Sequence, residues 1–187
     1  GEALEGLDFA GELKTNFIII ANDNDMSIAE NHGGLYRNLA ELRATNGQAE
    51  NNFFKTFGLD YKYLANGNDI ESLIHLFEEV KDIDHPIVLH IHTEKGRGYQ
   101  PALENKEAFH WHMPFDLETG QSKVIDSGKS YSSVMLDYMD KKVSEGLPLV
   151  AINAAIPGIF GLKQFAAKYP DRYIDAGIAE QFTITFG

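Results

Sequence analysis

The chain has 187 residues, a mass of 20.9 kDa and a formal net charge of −12 at pH 7. With 43% hydrophobic and 24% charged residues, it has the composition of a globular protein, which excludes a disordered or collagen-like chain. It contains no cysteine, so disulfides, thiolate zinc sites and cysteine nucleophiles are also excluded. The pI of about 4.9 argues against nucleic acid or an anionic membrane as a partner. No apolar run reaches the ~20 residues of a membrane helix, so we expect a soluble, cytoplasmic protein.

The two ends of the chain differ from the usual ends of a domain. Residue 1 is Gly rather than Met, and the chain stops at Gly187 directly after the apolar run Phe182–Phe186. Natural domains usually end in a polar, frayed segment. We therefore expect a piece of a longer polypeptide.

The first half of the chain alternates between strands and helices. The predicted elements are a strand at Phe17–Ala21, a helix at Gly33–Leu42, a helix from Ile70 to Val80 and a strand at Pro86–Thr93. The uninterrupted apolar run Phe17–Ala21 is typical of a strand buried on both faces. Asn68 and Glu71, three residues apart, predict a capping box at the start of the second helix.

The second half repeats the alternation after a polar stretch. A linker is predicted at 121–130, followed by a helix at Tyr131–Val143, a strand at Leu147–Asn153, a helix at Leu162–Tyr169, a strand at Arg172–Asp175 and a helix from Ala179. This pattern predicts an α/β protein with a mainly parallel sheet and helices on both faces. We expect one domain in residues 1–120 and the start of a second in residues 131–187.

Three loops follow predicted strands, where ligands bind in open parallel sheets. The first, Asn22–Ser27, carries four short oxygen-bearing side chains. Such oxygens suit Mg²⁺, which takes few protein ligands together with a substrate phosphate. An Asx-rich turn, in which these side chains bond their own backbone, is the commoner structure on spacing alone. Both interpretations remain open at this point.

The second loop, Lys95–Tyr99, contains two cations and two glycines. Its backbone could approach an anion and its cations could neutralise a phosphate. However, it matches neither a P-loop nor a dinucleotide-binding fingerprint. A solvated basic turn that closes the strand is an equally good interpretation.

Four histidines form two His-x-His pairs, at His90 and His92 and at His110 and His112. Zinc accepts nitrogen ligands readily, yet no acidic residue stands at a spacing that completes a known zinc motif. Packed or hydrogen-bonded histidines are the better interpretation. A role in proton transfer for one of them is favoured over metal binding, because imidazole titrates near neutral pH.

The third loop, Ala176–Gln181, brings one carboxylate into an apolar helix start. Ile178, Phe182 and Ile184 are expected to carry Glu180 inward, where burial raises the pKa of a carboxyl group. The alternative is a solvated glutamate that compensates the helix dipole.

Taken in order, the segments Ala21–Ile28, His90–Tyr99 and Tyr169–Gln181 resemble the 1-deoxy-D-xylulose-5-phosphate synthase family. This family depends on thiamine diphosphate and is related to transketolase. The resemblance runs along the whole chain and implies the thiamine-diphosphate-binding fold. It places the diphosphate-binding domain before the predicted linker and the start of the pyrimidine-binding domain after it.

The resemblance implies a role for each of several residues. Asn24 and the Met26 carbonyl would hold Mg²⁺, Lys95 and Tyr99 would border the cofactor, Glu180 would face N1′ of its aminopyrimidine, and His110 would lie near the reacting carbon. A carboxyl group that shares a proton with N1′ favours the imino tautomer of the ring, most strongly where water is excluded.

The implied activity is the transfer of a two-carbon unit from pyruvate, with decarboxylation, to glyceraldehyde 3-phosphate by a homodimeric enzyme. Three departures from the family pattern are visible: Phe182 and Asn68 replace histidines, and a segment before Phe53 is shortened. In addition, the chain begins just after the position of an upstream Gly-Asp-Gly with a further metal ligand. Another transketolase-like enzyme, or a non-catalytic paralogue with the same fold, therefore remains an alternative.

Overall fold

The computed structural model describes residues 2–29, 31–124 and 128–187. These residues divide into two compact units, one of Gly1–Asp25 with Gly33–Arg97 and one of Met26–His32 with Gly98–Gly187. Residues 125–127 of the predicted linker lie outside the described residues. The domain boundary at 121–130 therefore stays a prediction.

The first unit is a three-stranded parallel sheet with helices on both faces. Its elements are α1 (Glu2–Ala10), β1 (Phe17–Asp23), α2 (Gly34–Ala44), β2 (Asp60–Leu64), α3 (Ile70–Val80) and β3 (Pro86–His92). The strand order is β1-β3-β2, and β3 pairs in parallel with both neighbours. The α/β class and the parallel sheet predicted from the sequence are confirmed.

The central strand β3 carries the core of this unit. On one face, Val88 packs in a cluster with Ala10 of α1 and Leu42 of α2. On the other face, Leu89 packs with Leu76 and with other residues of α3. An unbroken apolar strand buried on both faces is what a central parallel strand requires, and it explains why β3 was predicted correctly.

The prediction that the first strand is buried on both faces is wrong. β1 is an edge strand of the described sheet, and Phe17 and Ile20 are 46% and 53% exposed. A run of apolar residues does not distinguish an edge position from a central one. Strand β2 was not predicted at all, because Asp60 and Lys62 interrupt its apolar character.

The start of α3 also differs from the prediction. The N-cap is Asp69, whose carboxylate accepts hydrogen bonds from the backbone N–H and the hydroxyl of Ser72. The predicted cap, Asn68, instead accepts from the backbone N–H of Glu94. An acidic residue at the N-cap accepts a hydrogen bond from a free backbone N–H, and its negative charge interacts favourably with the positive end of the helix dipole.

The second unit contains a two-stranded parallel sheet, one helix of 14 residues and several shorter helices. Its elements are α4 (Gln100–Glu104), α5 (Tyr131–Ser144), β4 (Ala151–Asn153), α6 (Leu162–Lys168), β5 (Tyr173–Asp175) and α7 (Glu180–Phe186). Ala151, Leu162 and Phe165 form its buried core. Strand β4 is shorter than predicted. Within the described ranges, no helix has both the length and the apolarity needed to cross a membrane.

Candidate functional site

Each of the three loops predicted to bind ligand follows the carboxyl end of a strand. Asn24 comes directly after β1, the Glu94–Tyr99 turn comes after β3, and the loop to Glu180 comes after β5. Strands β1 and β3 are neighbours in the sheet of the first unit. Parallel strands have their carboxyl ends at one edge of the sheet, so the parallel pairing of β1 with β3 brings the loops after these two strands to the same side.

The carboxylate of Asp23, at the end of β1, organises the first loop. It accepts hydrogen bonds from Arg43, from Nε2 of His90 at 2.9 Å and from the backbone N–H of Asp25 at 3.0 Å. Burial alone would raise the pKa of Asp23. The hydrogen bonds from His90, Asp25 and Arg43 outweigh that effect and hold this pKa well below its usual range.

Arg43 joins the two acidic residues of this loop. Its guanidinium contacts Asp23 through one nitrogen and the Asp25 carboxylate through the other, at 2.6 Å. Asp25 also lies 3.2 Å from Nε2 of His92 and has a positive φ of 72°. A fork-shaped guanidinium suits two carboxylates at once. The loop after β1 is therefore held by charge-assisted contacts on both sides of Asn24.

Asn24 is the oxygen donor that this network leaves available. Its side chain makes no hydrogen bond in the described part of the chain, whereas both neighbouring carboxylates are engaged by Arg43 and by histidines. An amide oxygen at a strand end, with few other protein ligands, fits the preference of Mg²⁺ for oxygen and for substrate phosphates. Asn24 belongs to the first unit, and Met26, the other residue assigned to the metal, belongs to the second.

His90 is fully buried and bonded at both ring nitrogens. Because a carboxylate only accepts, we assign the hydrogen to Nε2, which donates to Asp23; Nδ1 then accepts from the hydroxyl of Tyr61 at 2.7 Å. Burial raises the pKa of Tyr61 above its usual value, so the phenol remains a donor. His90 is thus a packed, hydrogen-bonded residue, as the sequence favoured. No cluster of three or more His, Asp or Glu that could hold a metal occurs among the described residues.

Lys95 and Tyr99 occupy different units. Lys95 is half-buried in the turn after β3, beside Gly96, whose φ is 86°. Tyr99 lies at the start of the second unit, where its ring contacts Phe109 and Phe115 and its hydroxyl donates to the carbonyl of Leu117. Tyr99 therefore anchors an aromatic cluster in addition to any contact with a cofactor.

His110 ends a short 3-10 turn, Ala108–His110, and is exposed. The preceding Phe109 stacks on His112 with their ring centroids 4.8 Å apart, and this contact fixes the turn. His110 and Trp111 both line a cleft of about 430 Å³ in the second unit.

Asp175, which the sequence did not single out, organises the loop after β5. Its carboxylate accepts from the Asn153 amide at 2.8 Å, from the Tyr173 hydroxyl at 3.0 Å, and from the backbone N–H groups of Ala155 and Gly177. Burial would raise the pKa of Asp175, but these donors lower it. Burial, together with the hydrogen bond to Asp175, raises the pKa of Tyr173 to about 12. Asp175 therefore fixes the backbone that leads to α7.

Glu180 is the first residue of α7, and its side chain is exposed. The expectation that its apolar neighbours carry it inward is wrong for the described chain. Ile178, Phe182 and Ile184 are themselves 51%, 56% and 82% exposed, so these three side chains do not bury the carboxylate. The sequence pattern identifies apolar neighbours of Glu180 but does not show which residues would bury its carboxylate.

The profile of one protein family matches the first half of the chain. The sequence profile of the family described as 1-deoxy-D-xylulose-5-phosphate synthase matches residues 1–51 and 44–93. The two ranges overlap at residues 44–51, immediately before the Phe53–Phe54 region, where the sequence predicts a shortened segment.

Curated relatives match the rest of the chain as well. The chain is 34% identical to "1-deoxy-D-xylulose-5-phosphate synthase 1" of Geobacter sulfurreducens over 223 residues, which cover 100% of this chain and 35% of the relative. It is 38% identical to the "1-deoxy-D-xylulose-5-phosphate synthase" of Listeria monocytogenes over 193 residues, which cover 99% of this chain and 32% of the relative. The chain therefore spans about a third of the length of these relatives.

The parallel α/β architecture, with polar loops at the carboxyl ends of the strands, is consistent with the thiamine-diphosphate-binding fold. Within that class the relatives agree on one family. The chain belongs to the 1-deoxy-D-xylulose-5-phosphate synthase family.

Proposed function

We propose that this protein catalyses the thiamine-diphosphate-dependent transfer of a two-carbon unit from pyruvate, with loss of CO2, to glyceraldehyde 3-phosphate, which forms 1-deoxy-D-xylulose 5-phosphate. The observation that carries the proposal is that the three segments in which the sequence resembles this family follow the carboxyl ends of β1, β3 and β5. The names of the relatives support the same reaction. We also propose a cytoplasmic homodimer.

The residues after β1 and β3 would hold the diphosphate end of the cofactor. Asn24 would ligate Mg²⁺ through its side-chain oxygen and Met26 through its carbonyl. Lys95 would supply a positive charge near the phosphates, and Tyr99 would border the cofactor. In a chain with a net charge of −12, such cations are needed to bring a diphosphate close. The cofactor, when bound, supplies the electron sink through which the two-carbon unit is carried.

The residues after β5 and in the turn before Trp111 would act at the reacting end. Glu180 would hold a proton at N1′ of the aminopyrimidine, and His110 would lie near the reacting carbon. Asp175 positions the first of these groups, because it fixes the backbone of the loop that leads to α7. We further propose that Glu180, exposed in the chain alone, becomes covered in the complete enzyme, since a carboxyl group shares a proton best where water is excluded.

The test is an assay of the complete protein with pyruvate, glyceraldehyde 3-phosphate, thiamine diphosphate and Mg²⁺. We expect CO2 release that depends on the aldehyde phosphate and falls at least about a hundredfold in Glu180→Gln, because the variant cannot share the proton. Glu118→Gln, an exposed carboxylate in a loop, is the matched control and keeps full activity.

Full turnover in Glu180→Gln would refute the assignment of this residue. A panel of acceptor aldehydes separates the proposal from its main alternative. CO2 release supported only by another aldehyde would indicate a different transketolase-like enzyme, and none with any aldehyde would indicate a non-catalytic relative.

A further inference from the structure

The second unit contains a cleft of about 430 Å³ with an apolar wall and one ion pair. The wall is formed by Ile28, Ile156, Ile159 and the exposed indole of Trp111. The ion pair joins Nζ of Lys163, on α6, to the carboxylate of Glu107, 2.8 Å away. A mainly apolar cleft with a few convergent polar groups is the usual form of a small-molecule site.

Lys163 is the one lysine or arginine among the described residues that line this cleft. Its side chain is 55% exposed and that of Glu107 is 27% exposed. An ion pair with this much solvent exposure contributes little to stability, so the ammonium can turn to another anion at small cost. A lysine has three hydrogens to donate and can therefore contact Glu107 and a ligand together.

The surroundings make this cation necessary for an anionic ligand. The chain carries a net charge of −12, and Glu107 adds a negative charge at the cleft itself. An anion that enters the cleft is therefore repelled unless one cation faces it. The apolar wall would at the same time contact a short carbon skeleton.

We propose that this cleft binds a small organic anion, with Lys163 contacting its carboxylate or phosphate and with Trp111 and the isoleucines contacting its carbon atoms. Glu107 holds the ammonium in place and competes with the ligand for it. The inference rests on the proposed function for the nature of the ligand, because both pyruvate and glyceraldehyde 3-phosphate are small organic anions. The inference assigns opposite effects to the two charged residues: Lys163 strengthens the binding of one of these anions, and Glu107 weakens it.

The single tryptophan of the chain makes this directly measurable. Trp111 lines the cleft, so its fluorescence reports occupancy in the 187-residue chain without cofactor or turnover. The probes are pyruvate, glyceraldehyde 3-phosphate and inorganic phosphate, each titrated separately. Saturation by pyruvate alone identifies a carboxylate site, and saturation by both phosphate compounds identifies a phosphate site.

The variants separate ligand binding from a structural role. We expect Lys163→Gln to raise the dissociation constant about tenfold. Lys163→Arg should retain most of the native affinity. Glu107→Gln should lower the dissociation constant about threefold, because the carboxylate that competes for Lys163 is gone. The matched control is Lys168→Gln on the same helix, since Lys168 pairs with Asp140 away from this cleft. This control leaves the dissociation constant unchanged.

Several results would overturn the inference. It is wrong if none of the three probes changes the fluorescence, if Lys163→Gln binds as tightly as the native chain, or if both variants of the pair weaken binding alike, as loss of a structural ion pair would. Because no turnover is measured, a protein that binds the anion here but forms no product would refute only the proposed function.

Discussion

At the scale of single residues, a chain of partly buried polar contacts across β2, β3 and the end of β1 holds the candidate metal loop. Tyr61, His90 and Asp23 are linked by hydrogen bonds of 2.7 and 2.9 Å, and Arg43 closes the network on the other side of Asp23. Every member has a partner, which is the condition for a buried polar network to stabilise a fold.

The two histidines of β3 should differ sharply in their contribution to stability. His90→Leu leaves the Tyr61 hydroxyl without its partner and removes one of the three hydrogen bonds to the Asp23 carboxylate, so we expect the free energy of unfolding to fall by about 2 kcal/mol. His92→Leu is the matched control and removes only a partly exposed contact with Asp25, which costs about 0–1 kcal/mol. Urea unfolding measures the loss in free energy of unfolding for each variant. Equal losses would contradict the role of His90.

The lowered pKa of Asp23 predicts a dependence of stability on pH. Because folding lowers this pKa from 3.8, the ionised carboxylate stabilises the fold above pH 3.8, and the contribution is lost as the pH falls towards the lowered value. Asp23→Asn should therefore cost about 2 kcal/mol near neutral pH and progressively less in acid.

Thermal unfolding across this pH range is the measurement. Asp8→Asn, which makes the same change of charge on the exposed side of α1, is the control and should show no such convergence with the native chain. A constant difference between Asp23→Asn and the native chain at every pH would refute the linkage.

At the scale of elements, the turn between β2 and α3 is closed against the end of β3 by a glycine. The N–H of Gly67 donates to the carbonyl of His92 at 2.8 Å, and a Cβ at this position would overlap Ile91 and lie 2.6 Å from that same carbonyl oxygen. This close approach of two backbones requires a residue without a side chain.

Gly67→Ala should therefore destabilise the first unit by about 2 kcal/mol, because backbone atoms would have to shift. Gly6→Ala, within α1 and with no atom close to its Cβ position, is the matched substitution and should stabilise the chain by about 0.5–1 kcal/mol. Chemical denaturation compares them. An unchanged stability in Gly67→Ala would show that the turn can move away from β3.

The sequence predicted elements best where a single physical pattern dominates. The central strand β3 and the amphipathic helix α3 were found because burial on both faces and helical spacing leave clear signals. Strand β2 was missed, although Tyr61 and Tyr63 at alternate positions are a strand signal that could have found it. The sequence does not reveal the roles of Asp23 and Asp175, because several of the groups that bind them, among them His90 and Asn153, lie 20 to 67 residues away in the chain.

At the scale of the whole molecule, the motifs were recognisable but their surroundings were not. Asn24, Lys95 and Glu180 stand in the expected order, at the carboxyl ends of parallel strands. Their burial depends on contacts that a linear pattern does not contain, as the exposure of Glu180 shows. The chain spans about a third of its relatives' length, so we predict that the 187-residue chain alone binds thiamine diphosphate weakly or not at all.

The central claim is that the loop after β1 holds the metal end of the cofactor. Calorimetric titration of the complete protein with thiamine diphosphate, with and without Mg²⁺, tests it most directly. We predict binding that requires Mg²⁺ and that weakens at least about tenfold in Asn24→Ala, with Asn51→Ala, at an exposed position outside this loop, as the matched control at native affinity. Equal affinity of Asn24→Ala and the native protein, or binding that is indifferent to Mg²⁺, would contradict the account.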